Sequence, residues 1–405
     1  MKVAKIIWLV AAKLIVADFA FAQNWTQTSA PNNAWGPIAA SADGSNLAAL
    51  VSQPNVIWVS TNSGTTWTSN TVSGVTGRLE CAAWSATGGQ LTAVALNANT
   101  IYSSTNFGTT WISNSVPVEP WFHVASSADG TKLVALGGGL TSAGPIFFSA
   151  DSGQTWMQAN ASITNWVSVA SSASGGNWVA AVETQSPFGG SIYTSTNSGL
   201  DWTPTTAPNL QYLSVASSAD GSKLLAATGG GLIYSSTNSG KTWLSNSVPQ
   251  EPWFRVACSA DGRTLAAVSI LGNISNTGYV YTSTNSGMTW LSNSVPNQSW
   301  NGIAASADGD TLLASGDTSF GSANGGIYIL HIAPAPELDI SAVNNDFAIS
   351  WIIPSTNFVL QQNLDLTTTN WVTLTNTPTL NLTNLQNQVM LSPSNSSGFY
   401  RLKAP

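Results

Sequence analysis

One turn constrains this chain more than any other feature. The stretch STNSGKTW, Ser236 to Trp243, returns in close copies at Ser60–Trp67, Ser104–Trp111, Ser149–Trp156, Ser195–Trp202 and Ser283–Trp290. Alternating with the six turns, and flanking them at both ends, runs a second repeat, SADG or a near variant, starting at Ser41, Ser85, Ser127, Ser172, Ser218, Ser259 and Ser306. A period of roughly 45 residues with two fixed turns suits a four-stranded unit. One unit reads as four short strands, Phe254 to Ser259, Thr264 to Val268, Tyr279 to Thr284 and Thr289 to Ser292, separated by Asp-Gly, Gly/Asn-rich and Asn-Ser-Gly punctuation. Helical repeats of that length need long 3.6-periodic segments, and none is visible.

The two repeats disagree in number, and the mismatch is informative. The last unit, from Trp300 to about Ile332, has three predicted strands and no turn leading to a fourth. Asn24-Trp25-Thr26-Gln27 has the place and flavour of the strand that follows the turn elsewhere, as in Thr242-Trp243-Leu244-Ser245. The expected fold class is therefore all-β: a seven-bladed β-propeller closed by its own N-terminal strand, which removes free sheet edges.

Within Ser236 to Trp243 the physical reading is local. Asn238 is expected to accept a hydrogen bond from a backbone N–H about two residues on. Gly240 supplies a positive φ, and Trp243 covers the turn. The pattern S-x-[DN]-x-G-x-x-W resembles the Asp-box, or BNR repeat, of sialidase-like and photosystem II assembly-factor-like propellers, over roughly residues 24 to 332. Five boxes carry Asn62, Asn106, Asn197, Asn238 or Asn285 at the name-giving position, and Asp151 alone keeps the acid. In this reading all six are structural.

The chain opens with Lys2 and Lys5, an apolar run to Phe21 and the small-x-small site Ala20-Phe21-Ala22, which predicts a signal peptide over 1–22 and an exported protein, periplasmic, extracellular or on the cell surface of a bacterium. Lys13 and Asp18 make that run a poor membrane anchor, and no later segment reaches the ~20 apolar residues of a span. The propeller is assigned to 23–332. A Pro/Ala linker, Ala333-Pro334-Ala335-Pro336, leads to a C-terminal piece at 337–405 with predicted strands at Phe347 to Trp351, Phe358 to Gln362, Trp371 to Leu374 and Phe399 to Leu402. This reads as a small β-sandwich-like module. Its ISW, FVLQQNLDL, NWVTL and FYRL segments are similar to a C-terminal domain of exported proteins from verrucomicrobial and related bacteria, which implies surface association or secretion.

Charged residues make up 7% of the chain, 18 acids against 11 bases. Phosphate neutralisation needs clustered cations, so no nucleic-acid partner is expected. Cys81 and Cys258 fall on units that are not neighbours and read as buried free thiols. With only His123 and His331 in the chain, no metal and no cofactor are implied. A monomer is expected.

If the first strand of each unit lines a central channel, the residue six before each SADG serine sits at its entrance: Trp35, Leu79, Trp121, Trp166, Tyr212, Trp253 and Trp300. The same face receives Glu183, the Gly-rich turns 137–139 and 229–231, and Asp317. Either the aromatics wedge between units, or they form a rim that stacks on sugars or grips a peptide, with Glu119, Glu251, His123 and Arg255 adding polar contacts. No catalytic residues are assigned. A sialidase-like site needs three converging arginines, whereas Arg263 follows an SADG turn at the opposite end of its strand from Arg255, and Arg78 is the third in the propeller. Propeller endoglucanases of the xyloglucanase type, which this chain resembles in blade number, pair carboxylates across two propellers, and here there is one. The expectation is a non-enzymatic binding or scaffold propeller for carbohydrate or protein. The alternatives are a sialidase-like glycoside hydrolase and an assembly factor that binds a partner protein.

Overall fold

The computed structural model describes residues 24–403 apart from 52–55, 73, 76, 97–99, 115, 118, 139–141, 186–187, 271–277, 318–323, 333–338, 344–345, 353–358, 365–367, 369, 377, 382–385 and 392–398. The predicted signal peptide, the Pro/Ala linker and Gly139 lie outside the described residues. Every regular element among the described residues is a β-strand.

Among the described residues, seven four-stranded antiparallel sheets follow one another between 26 and 331. Their inner strands are Trp35–Ala40, Arg78–Trp84, Trp121–Ser126, Trp166–Ser171, Tyr212–Ser217, Trp253–Cys258 and Ser299–Ala305, and the sheets are numbered here in that order. Each inner strand packs on the next, and the seventh packs on the first. The second strands are buried but for an end residue of Leu91–Leu96 and of Thr311–Asp317, because neighbouring sheets cover both faces. They read as continuous apolar runs rather than as alternation. Outer strands are two to four residues long and exposed, for example Leu244–Ser245 and Thr68–Thr71, which keeps the free edge of each sheet short.

The seventh sheet runs Ser299–Ala305, Thr311–Asp317, Ile327–His331 and then Thr26–Gln27, in which Thr26 faces Ile329 and Gln27 faces Tyr328. Trp25 is buried among Trp300, Leu312, Ala314 and Leu330. Its place matches that of the box tryptophans, but no box precedes it, and its indole N–H has no protein acceptor.

The SADG turns bind the sheets together at one end. The N–H of Ala42 donates to the carbonyl of Ala86, Ala86 to Ala128, Ala128 to Ala173, Ala173 to Ala219, Ala219 to Ala260, Ala260 to Ala307, and Ala307 back to Ala42, all within 3.0 Å. The circuit has no break.

The boxes lie at the same end and obey the local reading with one correction. The Asn238 side-chain oxygen accepts the N–H of Thr242, four residues on rather than two, at 2.9 Å, and the Ser236 hydroxyl donates to it at 3.0 Å. Ser236 Oγ takes the N–H of Gly240, whose carbonyl accepts the Trp243 indole N–H at 3.2 Å. The longer reach follows from two successive left-handed residues, Ser239 at φ 58° and Gly240 at φ 84°. All six boxes share this pair, with Phe107 in the first position of the second box.

Beyond the ring, Asp339–Val343, Asp346–Ile352, Gln386–Leu391 and Thr379–Asn381 form one antiparallel sheet, while Val359–Asn363, Phe399–Lys403 and Val372–Thr373 form another. Ile349 and Val389 of the first meet Leu360 of the second in a small core.

Candidate functional site

All seven inner strands carry a register shift at the same place, one or two residues after their first aromatic or leucine: Trp35/Ile38, Leu79/Cys81, Trp121/His123, Trp166/Ser168, Tyr212/Ser214, Trp253/Arg255 and Trp300/Gly302. A bulge re-aims the side chains that flank it. The aromatics consequently turn sideways into the seams between sheets. Trp121 lies among Cys81, Val94 and Ile101 of the second sheet and Val124 of its own, and Trp253 lies among Leu225, Ala227 and Ile233 of the fifth.

That geometry corrects the aromatic-rim expectation. Trp35, Trp121, Trp166, Tyr212, Trp253 and Trp300 are all 0% exposed. Five of them meet an aromatic of their own third strand edge to face, as Trp166 does with Tyr193 at 5.0 Å and Trp300 with Tyr328 at 5.6 Å. Tyr212 donates its hydroxyl to the carbonyl of Pro208 at 2.7 Å. Rings consumed in this way offer no face to a sugar, so wedging is their work.

The polar candidates separate into two groups. Glu119 and Glu251 are half-buried in the loops leading into the third and sixth sheets, with Glu251 shifted upward by burial. His123 and Arg255 instead share the position two residues after the wedge, where side chains span the seam. At that position Ser168 Oγ accepts the Val215 N–H at 3.1 Å, Ser214 Oγ accepts the Val256 N–H at 3.2 Å, and the Cys81 thiol points at the Val124 carbonyl at 3.5 Å.

Arginine is too long for such a slot. Arg255 donates Nη1 back to the Leu213 carbonyl at 3.1 Å and to its own Phe254 carbonyl at 3.5 Å, and its guanidinium carbon lies 4.3 Å from the centre of the Phe254 ring. The ion pair found among the described residues joins Arg78 and Glu80 at 2.7 Å, so the Arg255 charge has no carboxylate within salt-bridge distance. Burial lowers its pKa, with Cys81 and Glu80 opposing.

His123 is enclosed, and burial followed by the positive charge of Arg255 pulls its pKa down to about 3, so the ring is neutral at pH 7. Its Nδ1 is sealed from solvent with no partner. Both residues lie on inner strands of the ring, and both side chains keep partial exposure although protein surrounds them. Burial raises Glu80 against the opposing pull of Arg78, and Arg255 reaches it more weakly. Burial pushes the Cys81 thiol up to about 11 and the Cys258 thiol up to about 12, which favours the protonated form of both.

Sequence reasoning missed Glu80 because Leu79, at the wedge position of its strand, interrupts the aromatic row. It also missed the seam-spanning position, although aligning the seven units places Cys81, His123, Ser168, Ser214 and Arg255 in one column. On the loop-rich end, Glu183 is buried and takes the Gln211 amide at 2.6 Å through one carboxylate oxygen, while the other has no partner. Two water-sized hollows, one beside Lys223 and Cys258 and one beside Trp178 and Ser239, lie at the box end and away from these groups. No group of three or more His, Cys, Asp or Glu side chains among the described residues is arranged to hold a metal, and no helix among them is long and apolar enough to cross a membrane.

No family model matches the chain, and no curated protein matches it in sequence. Solved structures do share its architecture. A structure of YCF48 bound to D1 peptide superposes with a TM-score of 0.56 at 15% identity, covering 78% of this chain and 96% of that one. Hydrazine synthase of Kuenenia stuttgartiensis gives 0.58 at 14% identity, over 76% and 98%. The GH74 xyloglucanase of Xanthomonas campestris gives 0.57 at 14%, over 82% of this chain and 59% of its own. At such identities the likeness is one of fold: the chain is a β-propeller.

Proposed function

We propose that this chain is an exported, non-enzymatic recognition protein, in which a seven-bladed Asp-box propeller closed by its N-terminal strand binds another protein and is followed by a separate β-sandwich-like module at 337–405. The unbroken alanine circuit and the pairing of Thr26–Gln27 with Ile327–His331 support the blade count and the closure. The apolar N-terminus with its small-x-small site supports export, and the few cations support a partner other than nucleic acid. The two small sheets that meet at Ile349, Leu360 and Val389 support the module.

The observation that carries the non-enzymatic reading is the dispersal of the propeller's arginines. Arg78 is paired with Glu80, Arg255 is bonded to two carbonyls in the channel, and Arg263 sits in an SADG turn, where its N–H donates to Asp261 at 2.9 Å. Such a set cannot clamp one sugar carboxylate, which weighs against the sialidase-like alternative. Burial of the wedge aromatics removes the stacking surface that favoured carbohydrate and leaves protein as the better ligand class. The YCF48 structure, which holds a peptide on the same architecture, supports that choice.

Probing peptide and glycan arrays with the full chain tests this reading. Signal on peptides with silent glycans is expected, whereas release of sugar from any glycan would contradict it.

A further inference from the structure

From the geometry of the channel we infer that Arg255 and His123 form a site for an organic monocarboxylate, an inference that rests on the propeller being a binding protein and names the chemistry its channel takes. Both side chains project from the same strand position, on the sixth and third sheets. Neither is satisfied by protein. Nη1 of Arg255 is held by the carbonyls of Leu213 and Phe254, and no carboxylate among the described residues lies within salt-bridge distance, so Nε and Nη2 remain for a ligand. His123 is neutral, and its Nδ1 is sealed without a partner. A stranded buried acceptor is more readily tolerated than a stranded donor, so the ring proton belongs on Nε2, the edge left to the channel.

The ligand-facing atoms are thus donors with nothing to accept them, and such an arrangement selects an acceptor-only group. Charge sets its valence. Arg78 and Glu80 cancel in their ion pair and Arg255 adds one positive charge, in a chain whose formal net charge is −7. One net positive charge balances a carboxylate and leaves a doubly charged phosphate uncompensated. Shape sets its body. Phe122 and Phe254 immediately precede the two polar residues, on the same bulge, and the Phe254 ring already carries the guanidinium on one face. A carboxylate with an apolar or aromatic body fits those surroundings, and it can come from a free acid or from the end of a peptide chain.

Calorimetric titration of the full chain separates these cases, with 3-phenylpropionate and 3-phenylpropionamide as one pair, and N-acetyl-phenylalanine and its amide as the other. The acids are expected to bind at least about 10-fold more tightly than the amides, since a hydrogen-bonded charge is worth that much in an enclosed site. Arg255→Met and His123→Leu should each weaken the acids by about 10-fold or more without changing the weak binding of the amides. Tighter binding of 3-phenylpropionate assigns the site to free acids, and tighter binding of N-acetyl-phenylalanine assigns it to chain ends. Equal binding of acid and amide by the wild-type protein, or wild-type affinity in the folded His123→Leu variant, would overturn the inference whether or not the peptide array is positive. A positive array with both results would place protein binding on the loops instead.

Discussion

At the scale of single residues, the repeated turn is a closed hydrogen-bonding unit, and most of it was legible because its chemistry is local. Asn238, Gly240 and Trp243 do the jobs their side chains suggest. What stayed hidden was the left-handed residue before the glycine, since Ser239, and still less Phe107, does not advertise a positive φ. The SADG turns show how one substitution changes titration. Ser45, Thr131 and Ser222 donate a hydroxyl to the second oxygen of Asp43, Asp129 and Asp220, but in the seventh sheet that position is Asp310, facing Asp308. Burial, and then the Asp308 charge, raises Asp310 to about 7 from an ordinary value of 3.8. The folded state therefore favours the protonated acid. The stability this contributes is complete below about pH 4 and is lost as pH rises through 7. Asp310→Ser, which restores the hydroxyl, should match the wild type near pH 4 and exceed it at pH 8 by about 1 kcal/mol after solvent screening. Urea denaturation at the two pH values checks this, and an equal gap at both would contradict it.

At the scale of the strand, a shared bulge decides what the inner strands present. The spacing of seven large residues before the SADG turns was visible in the sequence, as was their choice between wedge and rim. The outcome depends on the neighbouring sheet, which the local sequence does not contain. The bulge turns the rings into the seams and gives the channel to the next residues along, so His123 and Arg255, singled out by residue type, stay candidates while the aromatics leave the list of ligand contacts. Trp253 is the sharpest case, being fully buried and edge to face with Tyr281 at 5.4 Å. Trp253→Ala should cost about 3–5 kcal/mol of stability, as a large core truncation does. Chemical denaturation measures that cost, and a loss below about 1 kcal/mol would mean that the ring is a surface group after all.

At the scale of the whole molecule, closure sets up everything else. The count of seven SADG turns against six boxes pointed to a strand supplied from the other end, and Thr26–Gln27 stands there. The circuit of alanine hydrogen bonds was not legible, because nothing in SADG distinguishes an amide that bonds across sheets from one that bonds within its own turn. The same closure encloses Arg255 and His123, so an open ring would leave them in solvent and remove the channel site. The link joining the ends of the array is the Ala307 N–H to the Ala42 carbonyl at 2.6 Å, and native-state amide hydrogen exchange reads it directly. Closure predicts that the Ala307 amide exchanges as slowly as those of Ala128 and Ala173, which make the same bond inside the array. Exchange at Ala307 orders of magnitude faster than at those two positions would show a ring open between its last sheet and its first.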